Sequence, residues 1–99
     1  MNKAVRVKQL RKWRGYAVLY KITPPYTREP DYDDDSYAGT FDYVIVSSIK
    51  ETSEGFGAET MIFPGDENGE PIDMLDLFCH RGITTHKKAL HDFGYELVK

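Results

Sequence analysis

Residues 40–50, TFDYVIVSSIK, are the stretch that decides the fold. One side of the extended chain carries the large apolar side chains of Phe41, Tyr43, Ile45 and Ile49. Val44 and Val46 make the opposite side apolar as well. Because a strand that is apolar on both sides must be covered on both sides, we expect this one to lie at the centre of a β-sheet.

A second apolar strand is predicted over residues 16–22, YAVLYKI. Its side chains alternate between two largely apolar faces, so it is expected to be internal too. Residues 11–15 form the connection from a preceding strand, with Gly15 free to adopt a positive φ. Pro24 and Pro25 are predicted to end the strand, because proline cannot donate to a ladder of hydrogen bonds.

Shorter patterns supply the other strands. Val5 and Val7 alternate with charged residues and predict a short, half-buried strand near the N-terminus. Residues 58–63 predict another strand, which stops at the Pro64-Gly65 pair. In the turn-rich stretch that follows, Asn68-Gly69 is typical of a type I′ turn.

The C-terminal part is predicted to be helical. Pro71 can open a short helical turn, and Thr84 or Thr85 is expected to cap a true helix that runs to Phe93. Gly94 follows as a left-handed terminating residue. The apolar stripe of this helix, which is expected to pack on the sheet, consists of Ala89, Leu90 and Phe93. Residues 95–98 can add a closing strand.

These elements together predict one α+β domain over residues 1–99. We expect an antiparallel β-sheet of about four to five strands, with one C-terminal helix packed on one face. The chain has 99 residues, of which 40% are hydrophobic and 13% aromatic, and this is enough apolar area for one core.

Composition also excludes several classes of protein. No run of 18 apolar residues is present, so no membrane span is predicted. Residues 1–10 lack the apolar core of a signal peptide, and Cys79 is the only cysteine, so no intramolecular disulfide can form. A cytoplasmic site of action is the expectation from these features.

The net charge of −3 conceals a strong segregation. Residues 1–21 carry seven Lys or Arg and no acid, residues 22–78 carry two bases and fourteen acids, and residues 79–99 carry four bases and two acids. This pattern permits separate basic and acidic binding faces. The simpler interpretation, which we favour, is that a basic strand lies beside an acidic one and their charges pair across the sheet.

Residues 26–40, YTREPDYDDDSYAGT, are predicted to form a long acidic loop that is rich in tyrosine. Tyrosines are common anchors of protein interfaces, so the loop is a candidate partner-binding surface. The candidate residues are Tyr26, Asp31, Tyr32, Asp33, Asp34, Asp35 and Tyr37. In a related hypothesis, residues 29–35 imitate a phosphate track and occupy a nucleic-acid-binding host protein.

The same loop has part of the spacing of a calcium site, with Asp31, Asp33, Asp35 and Asp42 at positions one, three, five and twelve. Ser36 stands where glycine normally permits the sharp turn, and Asp42 is shorter than the usual bidentate glutamate. The flanking segments are also not helical. A solvated acidic loop without a metal is therefore favoured.

A basic cluster with an aromatic residue inside it lies near the N-terminus. Its members are Lys8, Arg11, Lys12, Trp13 and Arg14. Such a combination can neutralise phosphates and stack on bases, so the N-terminal hairpin is a candidate nucleic-acid-binding module. The other interpretation is a hairpin whose Trp13 folds onto the core while the basic stems lie along the sheet. The overall pI of about 5.5 argues against a dedicated nucleic-acid binder.

No catalytic or cofactor motif is present in the sequence. No serine lies in a nucleophile elbow, and no glycine-rich phosphate loop occurs. His86 and His91 are five residues apart on the predicted helix and diverge, so they form no zinc pair with Cys79 and His80. Cys79 is expected to be a small buried residue. We therefore expect a protein that is not an enzyme, with no metal and no cofactor.

Four segments in the last 60 residues resemble small accessory proteins of tailed bacteriophages, especially phages of actinobacterial hosts. They are 41–47 (FDYVIVS), 59–69 (ETMIFPGDENG), 73–77 (DMLDL) and 85–96 (THKKALHDFGYE). Met74 stands where those proteins usually carry tryptophan, and the N-terminal third has no counterpart. The resemblance implies a phage origin, action in the host cytoplasm and a role towards a host component.

The sequence thus predicts a non-enzymatic phage accessory protein that binds a host protein and inhibits a defence or replication factor. The alternative is a nucleic-acid-binding module that uses the basic N-terminal hairpin. The chain is expected to act as a monomer or small homo-oligomer, away from membranes.

Overall fold

The computed structural model describes residues 2–13, 15–28, 39–49, 58–72, 76–82 and 84–98. Within them the elements run in the order β1 (Lys3–Gln9), β2 (Tyr16–Arg28), β3 (Gly39–Ile49), β4 (Glu59–Gly65), β5 (Phe78–Arg81), α1 (His86–Phe93) and β6 (Glu96–Val98). The broad α+β class is confirmed. No helix in these residues is long and apolar enough to cross a membrane.

All six described strands form one curled sheet in the order β5-β4-β3-β2-β1-β6. Neighbouring strands are antiparallel except β1 and β6, which are parallel. The predicted antiparallel sheet of about four to five strands therefore had too few strands and lacked the parallel pair of β1 and β6. The parallel pair arises because α1 carries the chain across the helix face to the β1 edge, and parallel strands require such a crossover connection.

The two strands that the sequence places at the centre are there. In β3, Val44, Ile45 and Val46 are fully buried, and β2 pairs with it through the residues opposite them. Pro24 and Pro25 do not end β2, which continues to Arg28. The pairing with β3 skips from Lys21 to Tyr26, so the prolines lie in an irregular stretch where that ladder needs no donor from them.

Strands also occupy both ends of the predicted 26–40 loop. Tyr26, Thr27 and Arg28 belong to β2 and pair with Phe41, Thr40 and Gly39 of β3. The intervening residues 29–38 lie outside the described part of the chain.

The helix packs on one side of the sheet, which we call the helix face. Its core is a cluster of Ala4, Val18, Tyr20, Ile22, Val44, Val46, Ile62, Ala89, Leu90 and Tyr95. The predicted caps are confirmed: the Thr85 side chain accepts a hydrogen bond from the Lys88 amide, and Gly94 ends the helix at φ 109°.

The opposite side, which we call the hairpin face, has a smaller core of Ala17, Leu19, Ile45 and Phe63. Leu10, Trp13, Tyr43 and Met61 pack against it. Leu10 and Trp13 come from the β1–β2 connection, in which Gly15 has the expected positive φ of 77°. A side chain at Gly15 would collide with the Ser48 carbonyl oxygen, because a Cβ there would lie 2.3 Å from it.

Two local predictions were wrong, and one strand was missed. Val5 and Val7 are 48% and 45% exposed, and Ala4 is the buried residue of β1. The turn after β4 is not type I′, because Asn68 lacks the positive φ that this type requires; only Gly69, at 86°, has it. The strand β5 was not predicted, because four residues are too short for a period to be recognised in the sequence. Residues 73–75 of the predicted helical turn lie outside the described residues.

Candidate functional site

A groove of about 740 Å³ opens on the hairpin face. We call it the hairpin groove. The side chains that define it are Lys8, Leu10, Arg11, Lys12, Trp13, Met61, Phe63 and Glu70. Four of the five residues of the predicted basic cluster are therefore brought together here, and the fifth, Arg14, lies outside the described residues.

The floor of the hairpin groove is apolar and aromatic. The rings of Trp13 and Phe63 are 5.4 Å apart between centroids and inclined by 45°. Trp13 is half-buried and packs on the hairpin-face core together with Leu10 and Met61. Trp13 thus folds onto the core, as one of the two interpretations of this segment predicted.

The rim is basic, since Lys8, Arg11 and Lys12 are exposed. A bulge in β1 sets this arrangement: Arg6 pairs with Tyr20 and Lys8 with Leu19, so Val7 is an extra residue. Arg6 and Lys8, which would share a face in a regular strand, therefore lie on opposite faces of the sheet.

Eight of the fourteen acids of residues 22–78 lie outside the described residues, so the pairing of basic and acidic strands stays a prediction. Among the described residues, the ion pairs lie within α1, from Lys88 and His91 to Asp92. The basic strand β1 lies between β2 and β6 rather than beside the acidic stretch. The bases on the groove rim thus pair with none of the described acids.

The turn after β4 closes one end of the groove. One Asp66 carboxylate oxygen accepts hydrogen bonds from the amides of Asn68 and Glu70, at 2.8 and 3.0 Å. This holds Gly69 directly over Leu10: a Cβ at Gly69 would lie 2.6 Å from a Leu10 methyl carbon. The absence of a side chain at Gly69 lets the two hairpins touch.

A second cavity of about 700 Å³ lies on the helix face, where the start of α1 meets β1–β4. We call it the histidine cavity. Its principal polar side chains are Arg6, Tyr16, Tyr20, Ser48, Glu59, Thr60, Thr84 and His86. Ser48 and Thr60 share a hydrogen bond of 3.1 Å across β3 and β4.

His86, the first residue of α1, is 7% exposed. Its Nδ1 lies 3.1 Å from the Tyr20 hydroxyl, and the Tyr16 ring covers it with centroids 4.7 Å apart. Burial lowers the pKa of His86 to about 4; the Tyr16 backbone opposes this shift, and the charge of Arg6 adds to it. Burial likewise raises the pKa of Tyr20 to about 12. Both groups are therefore neutral at physiological pH.

The predicted partner-binding residues are divided. Tyr26 lies in β2, where its half-buried ring packs on Phe93 with centroids 4.9 Å apart. The aspartates 31 and 33–35 and the tyrosines 32 and 37 lie outside the described residues, so their role remains a prediction. The calcium-like spacing falls there too, except for the exposed Asp42.

Cys79 was expected to be buried, but it is exposed on the edge strand β5. In this position it follows the alternation of a short strand rather than the composition of a core. Within the described ranges, no three His, Cys, Asp or Glu side chains converge as a metal site would require.

Sequence reasoning did not place Met61 and Phe63 beside Trp13, because strand pairing between distant segments is not written in local patterns. It also missed the contact of His86 with Tyr16 and Tyr20. A partial signal exists for the latter, since Tyr16 and Tyr20 are four residues apart and share one face of a strand.

Comparisons with protein-family models, with curated proteins and with solved structures find no match for the chain.

Proposed function

We propose that this protein is a non-enzymatic binding module that captures a protein partner in its hairpin groove. The observation that carries the proposal is an apolar floor of Leu10, Trp13 and Met61 below a rim of three exposed bases. Aromatic and methionine side chains supply contact area, and the basic rim supplies charge complementarity. The groove therefore suits a partner segment with apolar anchors flanked by acidic residues.

A protein is favoured over a nucleic acid for two reasons. The Trp13 ring rests on Phe63 and is half-buried, so it is not free to stack between successive bases. The chain as a whole carries a net charge of −3, and Glu70 stands at the groove itself. A long phosphate backbone would meet repulsion outside the rim, whereas a short acidic peptide segment would not.

The resemblance to phage accessory proteins supports a proposal for where the protein acts and on what kind of partner. In that setting the partner is a host protein in the host cytoplasm, and capture inhibits a defence or replication factor. The acidic tyrosine segment around Tyr32 and Tyr37 is proposed as a second contact surface for the same partner. The chain acts as a monomer or a small homo-oligomer.

The test is a comparison of three purified chains immobilised and exposed to lysate of the bacterial host. They are the wild type, the groove variant K8E/R11E/K12E and the control variant R81E/K87E/K88E, which makes the same charge change at exposed residues away from the groove. We expect a host protein to be retained by the wild type and the control, and its affinity to fall by about tenfold or more in the groove variant.

The retained protein is then purified and titrated with each chain, and a crosslinker at position 12 must join it to the groove. Equal retention by all three chains would contradict the proposal. Retained material that is nuclease-sensitive, with a steep salt dependence in gel-shift titrations, would establish the nucleic-acid-binding alternative instead.

A further inference from the structure

The histidine cavity lies on the other side of the sheet from the hairpin groove, and among the described lining residues the two share Ile49 at the end of β3. Its volume of about 700 Å³ falls within the range of about 300–1,000 Å³ that small-molecule sites occupy. Tyr16, Tyr20, Ile49 and Leu97 give it apolar and aromatic walls. A few polar groups converge on it from β1, β3, β4 and the start of α1, as expected for a site that orients a ligand.

One of the two ring nitrogens of His86 makes no hydrogen bond to the described residues. The Tyr20 hydroxyl and Nδ1 share a hydrogen bond of 3.1 Å, in which either group can be the donor, and the second ring nitrogen is Nε2. This nitrogen is buried and has no hydrogen-bond partner among the described residues. An unpaired buried polar atom destabilises a fold, so the region is not optimised for stability alone.

Positive charge gathers at the mouth of the cavity. Arg6 is exposed and donates one hydrogen bond of 3.0 Å to the Tyr16 hydroxyl, which leaves most of its donors for another acceptor. On the other side the first turn of α1 contains no acid, and the Thr85 hydroxyl accepts the amide of Lys88. First-turn amides have no acceptor within a helix, so this end of α1 adds a positive potential.

We propose that the histidine cavity binds a small organic carboxylate with a flat, apolar body. The carboxylate lies between Arg6 and the start of α1, while the body lies along Tyr16 and the apolar wall formed by Ile49 and Leu97. Glu59 is the one acid in the described lining. It disfavours doubly charged ligands such as a phosphate monoester and so favours a single negative charge.

Benzoate is the probe, and two-dimensional NMR of the amide groups is the measurement. We expect benzoate to shift the resonances of residues around Tyr16 and His86, with a dissociation constant on the order of 1 mM for so small a ligand. Benzamide, the neutral analogue of the same shape, is expected to bind at least about fivefold more weakly. Inorganic phosphate is expected to cause no saturable shift.

Arg6→Gln is expected to weaken benzoate by about fivefold or more while leaving benzamide unchanged. Lys21→Gln removes a base from the same sheet outside the cavity and is expected to change neither. Tyr16→Phe keeps the ring but removes the hydroxyl that positions Arg6, so a smaller loss for benzoate alone is expected.

Equal affinities for benzoate and benzamide would overturn the proposal, as would unchanged benzoate binding in Arg6→Gln. Shifts that map to the hairpin groove, or phosphate binding as strong as that of benzoate, would also overturn it. If Arg6→Gln loses the dispersed spectrum of a folded chain, Tyr16→Phe decides: selective loss of benzoate supports the site, and no loss overturns it.

Discussion

The two faces of the sheet are covered in different ways. The helix face lies under α1, and its core includes ten buried residues from the sheet, the helix and the segment after it. The hairpin face lies under two turns, and its core has four buried residues. The helix α1 covers the core of its face and leaves the histidine cavity beside its first turn, whereas the two turns touch at their tips and leave a groove between them. The face under the turns, which we call the open face, is the proposed site for a protein partner, and the face under α1, which we call the sealed face, holds the buried histidine.

The largest effect is expected from the sealed face. Leu90→Ala removes a fully buried side chain that joins α1 to the sheet, and it is expected to cost about 3–4 kcal/mol of unfolding free energy. Met61→Ala is the matched change on the hairpin face and is expected to cost about 1 kcal/mol, because Met61 is half-buried beside the groove. Urea denaturation measures both. Equal costs would mean that the hairpin face is as closed as the helix face in solution.

The next effect is a pH dependence of stability that arises from His86 on the helix face. His86 has a pKa of about 4 in the folded chain and 6.5 as its ordinary value, so the unfolded chain binds more protons between these values. The contribution of His86 to the unfolding free energy is fully present above about pH 6.5. It is lost as the pH falls towards 4, and this loss lowers the unfolding free energy by about 2–3 kcal/mol. Thermal unfolding across this range measures it.

His86→Gln should flatten that pH dependence, and His91→Gln, which removes an exposed histidine from the same helix, should leave it in place. A slope that persists in His86→Gln would show that the buried imidazole is not its source.

The third effect tests how closely the two turns meet. Gly69→Ala places a Cβ against Leu10 at a residue whose φ is +86°, and it is expected to cost about 2 kcal/mol. The Leu10 side chain should be displaced from the hairpin-face core, so its neighbour Trp13 should lose packing and its fluorescence should shift to the red. Gly94→Ala is the control, because its φ is also positive but nothing lies within 4 Å of the added carbon. A red shift in both variants would contradict the contact between the turns.

Structural features that depend on neighbouring residues could be predicted from the sequence, whereas contacts between distant segments could not. Alternation in residues 40–50 identified the central strand, and Thr85 and Gly94 identified the limits of the helix, because these signals are local. The bulge at Val7 could not be read in this way, since the pairing with Tyr20 and Leu19 sets it. The contact of Trp13 with Phe63 and the burial of His86 likewise depend on which distant segments pair. The elements of both sites were therefore predictable, but their assembly was not.

The last effect combines stability with binding, and it is expected at Trp13 on the hairpin face. Trp13→Ala removes a half-buried ring, so the loss of unfolding free energy should be about 1–2 kcal/mol. The affinity for the captured partner should fall by about tenfold or more, because Trp13 lies on the floor of the groove where an apolar anchor would bind. Isothermal titration beside urea denaturation measures the two effects. Phe93→Ala, a half-buried aromatic change on the helix face, should weaken stability at least as much and leave the affinity of the folded chain unchanged. If both variants lose affinity in proportion to their loss of stability, the open face has no special part in binding.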